Sequence, residues 1–142
     1  KQLEDFHCEV VALEVERTFW EKATILHAEY HRDPTQAMRD RFSRHYSDVA
    51  ALGQSAIADG ALAREELRQR VADWKSRFFA ASWARYDLAK PGTFRLVPPE
   101  FRMAELEKDY RAMRDMFLVE PPPFESLVES LRGLENRINQ IA

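Results

Sequence analysis

Arg17-Thr-Phe-Trp-Glu-Lys-Ala-Thr-Ile-Leu-His-Ala-Glu-Tyr-His31 is the stretch whose reading decides the fold. Phe19, Ala23, Leu26 and Tyr30 recur at steps of four and three, which makes one apolar seam on a helix and excludes the two-residue period of a strand. Asp33-Pro34 predicts its end, because the residue before a proline is pushed out of the helical region. The same period continues downstream. It predicts a second helix from about Met38 to Leu52 (Phe42, Tyr46 and Val49 on one face, Gly53 as the stop) and a third from about Leu62 to Trp83 (Leu67, Val71, Trp74 and Phe78). A fourth carries Leu106, Tyr110, Met113 and Phe117. A last one places Phe124, Val128, Leu131, Glu135 and Ile138 on one stripe, with Glu135 as the lapse in an apolar row. Pro91-Gly92 marks a turn, Pro98-Pro99 closes a short extended piece from Phe94 to Val97, and Pro121-Pro122-Pro123 separates the last two helices.

Upstream, Cys8-Glu-Val-Val-Ala-Leu13 is short, apolar and partly β-branched, and is read as a strand. A lone strand is not stable, so its partners would lie outside this chain. The chain also begins at Lys1 with no methionine, and is expected to be a piece of something longer. The fold class expected is therefore mainly α: about five helices in one compact domain over residues 1–142, with one or two short strands near the amino terminus. Residues 1–15 would complete an α/β domain that the sequence lacks.

With 142 residues, 45% of them apolar and 11% aromatic, the chain can bury a core of its own and is not of a disordered class. A net charge of −3 gives no basic field that would mark a nucleic-acid-binding protein, though 21 Lys and Arg leave room for a local groove. The single cysteine, Cys8, has no internal disulfide partner, fits a cytoplasmic location, and reads as a small buried hydrophobe. No apolar run is long enough to span a membrane.

Two charged residues stand beside apolar seams. Lys22 lies three residues after Phe19 and four before Leu26. It can snorkel along a packed surface or point into a cleft, where a compact ammonium grips phosphate as a point charge; spacing alone puts snorkelling first. Asp48 lies six residues after Phe42. It can pair with Arg44 on its own helix, or it can position a metal, a water or an acceptor hydroxyl. His27 and His31 have the spacing of two zinc ligands, but Glu29 between them is misplaced for a zinc hydrolase and no third ligand is evident. There is no phosphate-cradling glycine loop, and no Ser or Cys has a convincing base at hand.

The Arg17–His31 run, "SRHYSDV" at 43–49, "WARYDLAKPGTFRLVP" at 83–98, "DYRAMRDMF" at 109–117 and "EPPPFESLVESLRGLENRIN" at 120–139 together resemble the AbiEii/AbiGii nucleotidyltransferase toxin family. The resemblance covers nearly the whole chain. It implies the carboxy-terminal half of a polymerase-β-like nucleotidyltransferase, whose amino-terminal part carries a Gly-Ser turn and an acidic pair that hold magnesium. Those motifs are absent from this sequence. Lys22 matches the family's motif lysine, expected to contact the phosphates of a nucleoside triphosphate, and Asp48 its motif aspartate. Arg44, His45 and Lys75 match positions typical of the family and are further nucleotide-binding candidates. Ser47 departs from the pattern, standing where the family often has a second tyrosine, and is expected to alter packing more than chemistry. Magnesium and the triphosphate are expected for the full-length protein, with no metal ligand in this chain, which alone would be inactive. The resemblance also implies a cognate antitoxin and, by analogy, an RNA acceptor such as tRNA. A non-enzymatic helical module that binds a partner protein, and a plain structural domain, are the competing readings.

Overall fold

The computed structural model describes residues 2–141, with side chains from Glu4 onward; Lys1 and Ala142, the ends of the expected domain, lie outside the described residues. Six α-helices make up the fold: α1 (Gln2–Tyr30), α2 (Ser43–Gly53), α3 (Ala56–Leu62), α4 (Glu65–Phe78), α5 (Met103–Ala112) and α6 (Phe124–Asn139). Short 3-10 turns at Tyr86–Leu88, Glu100–Arg102 and Arg114–Met116 join them. Among the described residues there is no strand, and no helix is long and apolar enough to cross a membrane.

The carboxy-terminal part of α1 is the axis. Phe19, Ala23 and Leu26 of the predicted seam are fully buried and Tyr30 is partly so, and Trp20, outside that seam, is fully buried as well. Helices α2, α3 and α4 all pack on α1, and α2 is in turn flanked by α5 and α6. The last turn of α3 is tied to the axis by the Trp20 indole N–H, which donates to the Ala61 carbonyl at 2.9 Å.

The strand expected at Cys8–Leu13 is corrected: these residues are helical and belong to α1. A six-residue, mostly apolar stretch cannot distinguish a strand from a helix by pattern alone, and extending a helix that already exists costs little because nucleation has been met. Cys8, expected to be buried, is exposed on this arm. The second helix begins at Ser43 rather than Met38, because residues 34–42 form turns and irregular chain. The third helix, expected from about Leu62 to Trp83, runs from Glu65 to Phe78 as α4, and a short helix that was not expected, α3, precedes it. Ser55 caps α3 by accepting from the Ile57 N–H, and the chain turns at Ala63-Arg64, where Arg64 pairs with Glu16 of α1, so that both helices lie against the axis. The fourth helix stops at Ala112, short of Phe117, and a 3-10 turn follows.

Phe94–Val97, expected to be extended, has no regular secondary structure; side chains satisfy its backbone instead. Glu135 Oε1 accepts from the Leu96 and Val97 N–H groups at 2.7 and 3.1 Å. Asn139 Oδ1 accepts from Gly92 and Phe94 N–H, while its Nδ2 donates to the Phe94 carbonyl. The charge that interrupts the apolar row of α6 is thus the group that seats this segment. Gly92, with φ of 96°, makes the turn expected at Pro91-Gly92. Gly53 ends α2 where α6 comes close, since a Cβ there would lie 2.8 Å from Leu134 Cδ2.

Candidate functional site

Lys22 and Asp48 meet across the α1–α2 contact. The Nζ of Lys22 lies 3.2 Å from Asp48 Oδ2, with side chains 31% and 50% exposed. Both residues flank the buried seams of their helices, so the packing of those seams delivers their heads to a common edge. Asp48 pairs with Lys22 and not with Arg44, which has no acidic partner among the described residues. A shallow depression of about 380 Å³ adjoins the pair, lined by Arg44, Asp48, Met113, Met116, Phe117 and Leu118. Nothing in the sequence pointed to the 113–118 segment as part of this edge. It reaches α2 only because α5 packs there.

His45 stands one turn before Asp48 and stacks at 4.8 Å on Phe42. Burial holds its pKa below the ordinary value, and the positive charges of Lys22, Arg39 and Arg44 act in the same direction, against Asp48. Its buried Nδ1 has no hydrogen-bond partner. The neutral imidazole therefore borders a site whose field is already positive. Lys75, the remaining candidate, belongs to a different neighbourhood. It is buried on α4, with Nζ 5.0 Å from the Phe79 ring, and its pKa is lowered by burial against the attraction of Glu21. Lys22, Asp48, Arg44 and His45 thus form one group, and Lys75 stands outside it.

The two histidines that share a face of α1 are 4.9 Å apart, ring to ring. His27 spends both nitrogens on backbone: Nε2–H donates to Arg85 O at 2.8 Å, and Nδ1 accepts from Arg95 N–H at 3.0 Å. This fixes the neutral tautomer and leaves no lone pair for a metal.

A divalent magnesium ion needs several oxygen ligands. Among the described residues no three His, Cys, Asp or Glu side chains gather as a cradle, and Asp48 already commits one oxygen to Lys22. The residues of this site do not fit magnesium. They fit an anion: the part-exposed Lys22 ammonium and the exposed Arg44 guanidinium stand beside a depression with thioether and aromatic walls.

The family model for "Nucleotidyl transferase AbiEii toxin, Type IV TA system" matches residues 1–130. No curated protein and no solved structure gives a match.

Proposed function

Because the chain belongs to the AbiEii nucleotidyl transferase toxin family of type IV toxin–antitoxin systems, we propose that its Lys22–Asp48 pair forms one wall of a nucleotidyl-transfer site. In that reaction an acceptor hydroxyl oxygen bonds to the α-phosphorus of a nucleoside triphosphate. The bond from that phosphorus to the bridging oxygen breaks, the hydroxyl proton is lost and pyrophosphate leaves. Negative charge grows on the phosphate oxygens, so the protein's work is positioning and neutralisation.

The observation that carries this reading is the single ion pair of Lys22 with Asp48 at an open edge. With no nucleotide present the carboxylate holds the ammonium in place. A phosphate oxygen then takes up the donors of Lys22 that Asp48 does not use, since an ammonium has three. Arg44 and His45 flank the same position, with Arg44 able to meet a second phosphate oxygen. In this reading the Gly-Ser turn and acidic pair of the family, which this sequence does not contain, hold magnesium, and this chain alone is inactive. An RNA such as tRNA is the acceptor, and a cognate antitoxin opposes the activity in the cytoplasm.

The test is Lys22→Ala in the full-length protein. Transfer should fall by about 10²–10³-fold, the scale of losing one preorganised donor to a developing anion. The melting curve should hardly move, because a half-exposed ion pair contributes at most about 1 kcal/mol. Normal turnover in a well-folded variant would overturn the reading. The competing reading, a partner-binding module, draws on the exposed Trp74, Phe78 and Phe79 of the α4 end, where both phenyl rings pack against the Trp74 ring. Toxicity that survives Lys22→Ala but not Trp74→Ala would favour it.

A further inference from the structure

We propose that Asp109 is the positioning residue of this site: its carboxylate, reaching over from α5, sets where α2 starts and so fixes Arg44, His45 and Asp48 against Lys22. The functional consequence rests on the reading of the Lys22–Asp48 pair given above; the structural claim does not.

The first N–H groups of a helix have no partner within it, and a Ser, Thr, Asp or Asn at the cap position normally accepts from them. Helix α2 has Phe42 there, whose side chain accepts nothing. Asp109 supplies the missing acceptor from elsewhere in the chain. Its Oδ1 accepts from the Arg41 N–H at 2.8 Å and its Oδ2 from the Ser43 N–H at 2.9 Å. A carboxylate at a helix amino terminus also meets the favourable end of the helix dipole. Arg41 has φ of 60°, a conformation that a non-glycine residue keeps only when its surroundings hold it. A second strap runs between the same two helix ends, for the buried Ser43 hydroxyl donates to the Met113 sulfur at 3.2 Å.

Lever geometry makes this capping matter. Asp48 is five residues past Ser43, and each residue turns a helix by about 100°. A start displaced by one residue would carry Asp48 off the edge it shares with Lys22. Asp109 bonds to the backbone at Arg41 and Ser43 and makes no hydrogen bond to Lys22 or Asp48, so it acts through α2 and not on a reactant.

The experiment compares the chain with Asp109→Ala and Asp109→Asn by two measurements. One is the titration of the His45 ring by NMR, which senses Lys22, Asp48, Arg39 and Arg44 around it. The other is the coupling between Lys22 and Asp48, from a double-mutant cycle with Lys22→Met and Asp48→Asn. In Asp109→Ala the His45 titration should move and the Lys22–Asp48 coupling should vanish. In Asp109→Asn, which keeps one acceptor oxygen, both effects should be intermediate. A role confined to stability would lower the melting temperature and leave both measurements at their wild-type values in the folded variants, and that result would overturn the proposal. Should Asp109→Ala fail to fold, Asp109→Asn decides by the same criterion. Failure of Lys22→Ala to affect transfer would remove the nucleotidyl-transfer reading and leave the positioning result standing.

Discussion

His27 has the heaviest structural duty of any polar residue on the α1 axis. It is fully buried and bridges two loop segments through both ring nitrogens, donating to Arg85 O and accepting from Arg95 N–H. Arg85 itself sits at φ of 49°, so the ring also helps to hold a left-handed residue. Burial lowers its pKa to about 4, ahead of the opposing hydrogen bond to Arg85. The sign follows from proton binding. The unfolded chain binds a proton at His27 near pH 6.5 and the folded chain does not until about pH 4, so stability falls as pH drops through that window. The loss is on the order of 3 kcal/mol between pH 7 and pH 4. Urea midpoints at pH 7 and 4.5 should therefore diverge in the wild type and differ less in His27→Gln, where the remaining gap comes from His31 and His45, whose pKa values burial also lowers; an equal gap in both would show that His27 protonates normally in the fold. Spacing displayed His27 only as half of a candidate metal pair, because its two backbone partners lie 58 and 68 residues away. Lys22 and Asp48 were legible as residues beside seams, whereas their mutual contact was not, since the nearer same-helix candidate, Arg44, offered a simpler partner for Asp48.

At the scale of elements, the last helix shows most clearly what a pattern can and cannot reveal. Of its predicted stripe Val128, Leu131 and Ile138 are buried and Phe124 partly so, and the buried face is widened by Leu127 and Leu134, which the stripe did not include. Glu135 reads as a lapse in that stripe and is instead the acceptor for the backbone of Leu96 and Val97. Glu135→Leu would complete the apolar row and orphan two buried N–H groups. It should destabilise the fold by about 2–4 kcal/mol, from about 1–3 kcal/mol for each donor left unsatisfied, offset by the added apolar burial. Chemical denaturation measures this, and a neutral or stabilising result would show that the segment finds other partners. Helix α3 escaped the pattern because its buried residues are two alanines, Ala58 and Ala61, which make no large apolar stripe. The chain then turns so that both α3 and α4 lie along α1, with Glu16 at the corner for Arg64.

Across the whole molecule, α1 divides into a buried half and a projecting one. From Phe19 onward it is the core of the fold, whereas from Glu4 to Val15 its side chains are almost all exposed, Phe6 at 66%. Helical hydrogen bonds without tertiary packing open easily. Amides of residues 6–15 should therefore exchange with deuterium by local fraying, and those of 20–30 only by opening of the core. Uniform protection along α1 would mean that the arm is covered in solution.

The sequence alone determined the helical class, the buried seams of α1, α2 and α6, the turn at Pro91-Gly92 and the family to which the chain belongs. All of these rest on local period, local backbone chemistry or long runs of matching residues. Tertiary structure alone decided that the Cys8–Leu13 stretch is helical, that Ala56–Leu62 forms a helix of its own, that Lys22 meets Asp48, and that Asp109 caps a helix 66 residues upstream. The physical reason is the range of the forces involved. Periodic burial is written in neighbours along the chain, whereas the satisfaction of a buried donor or a lone charge depends on whichever residue the packing brings within 3 Å or so.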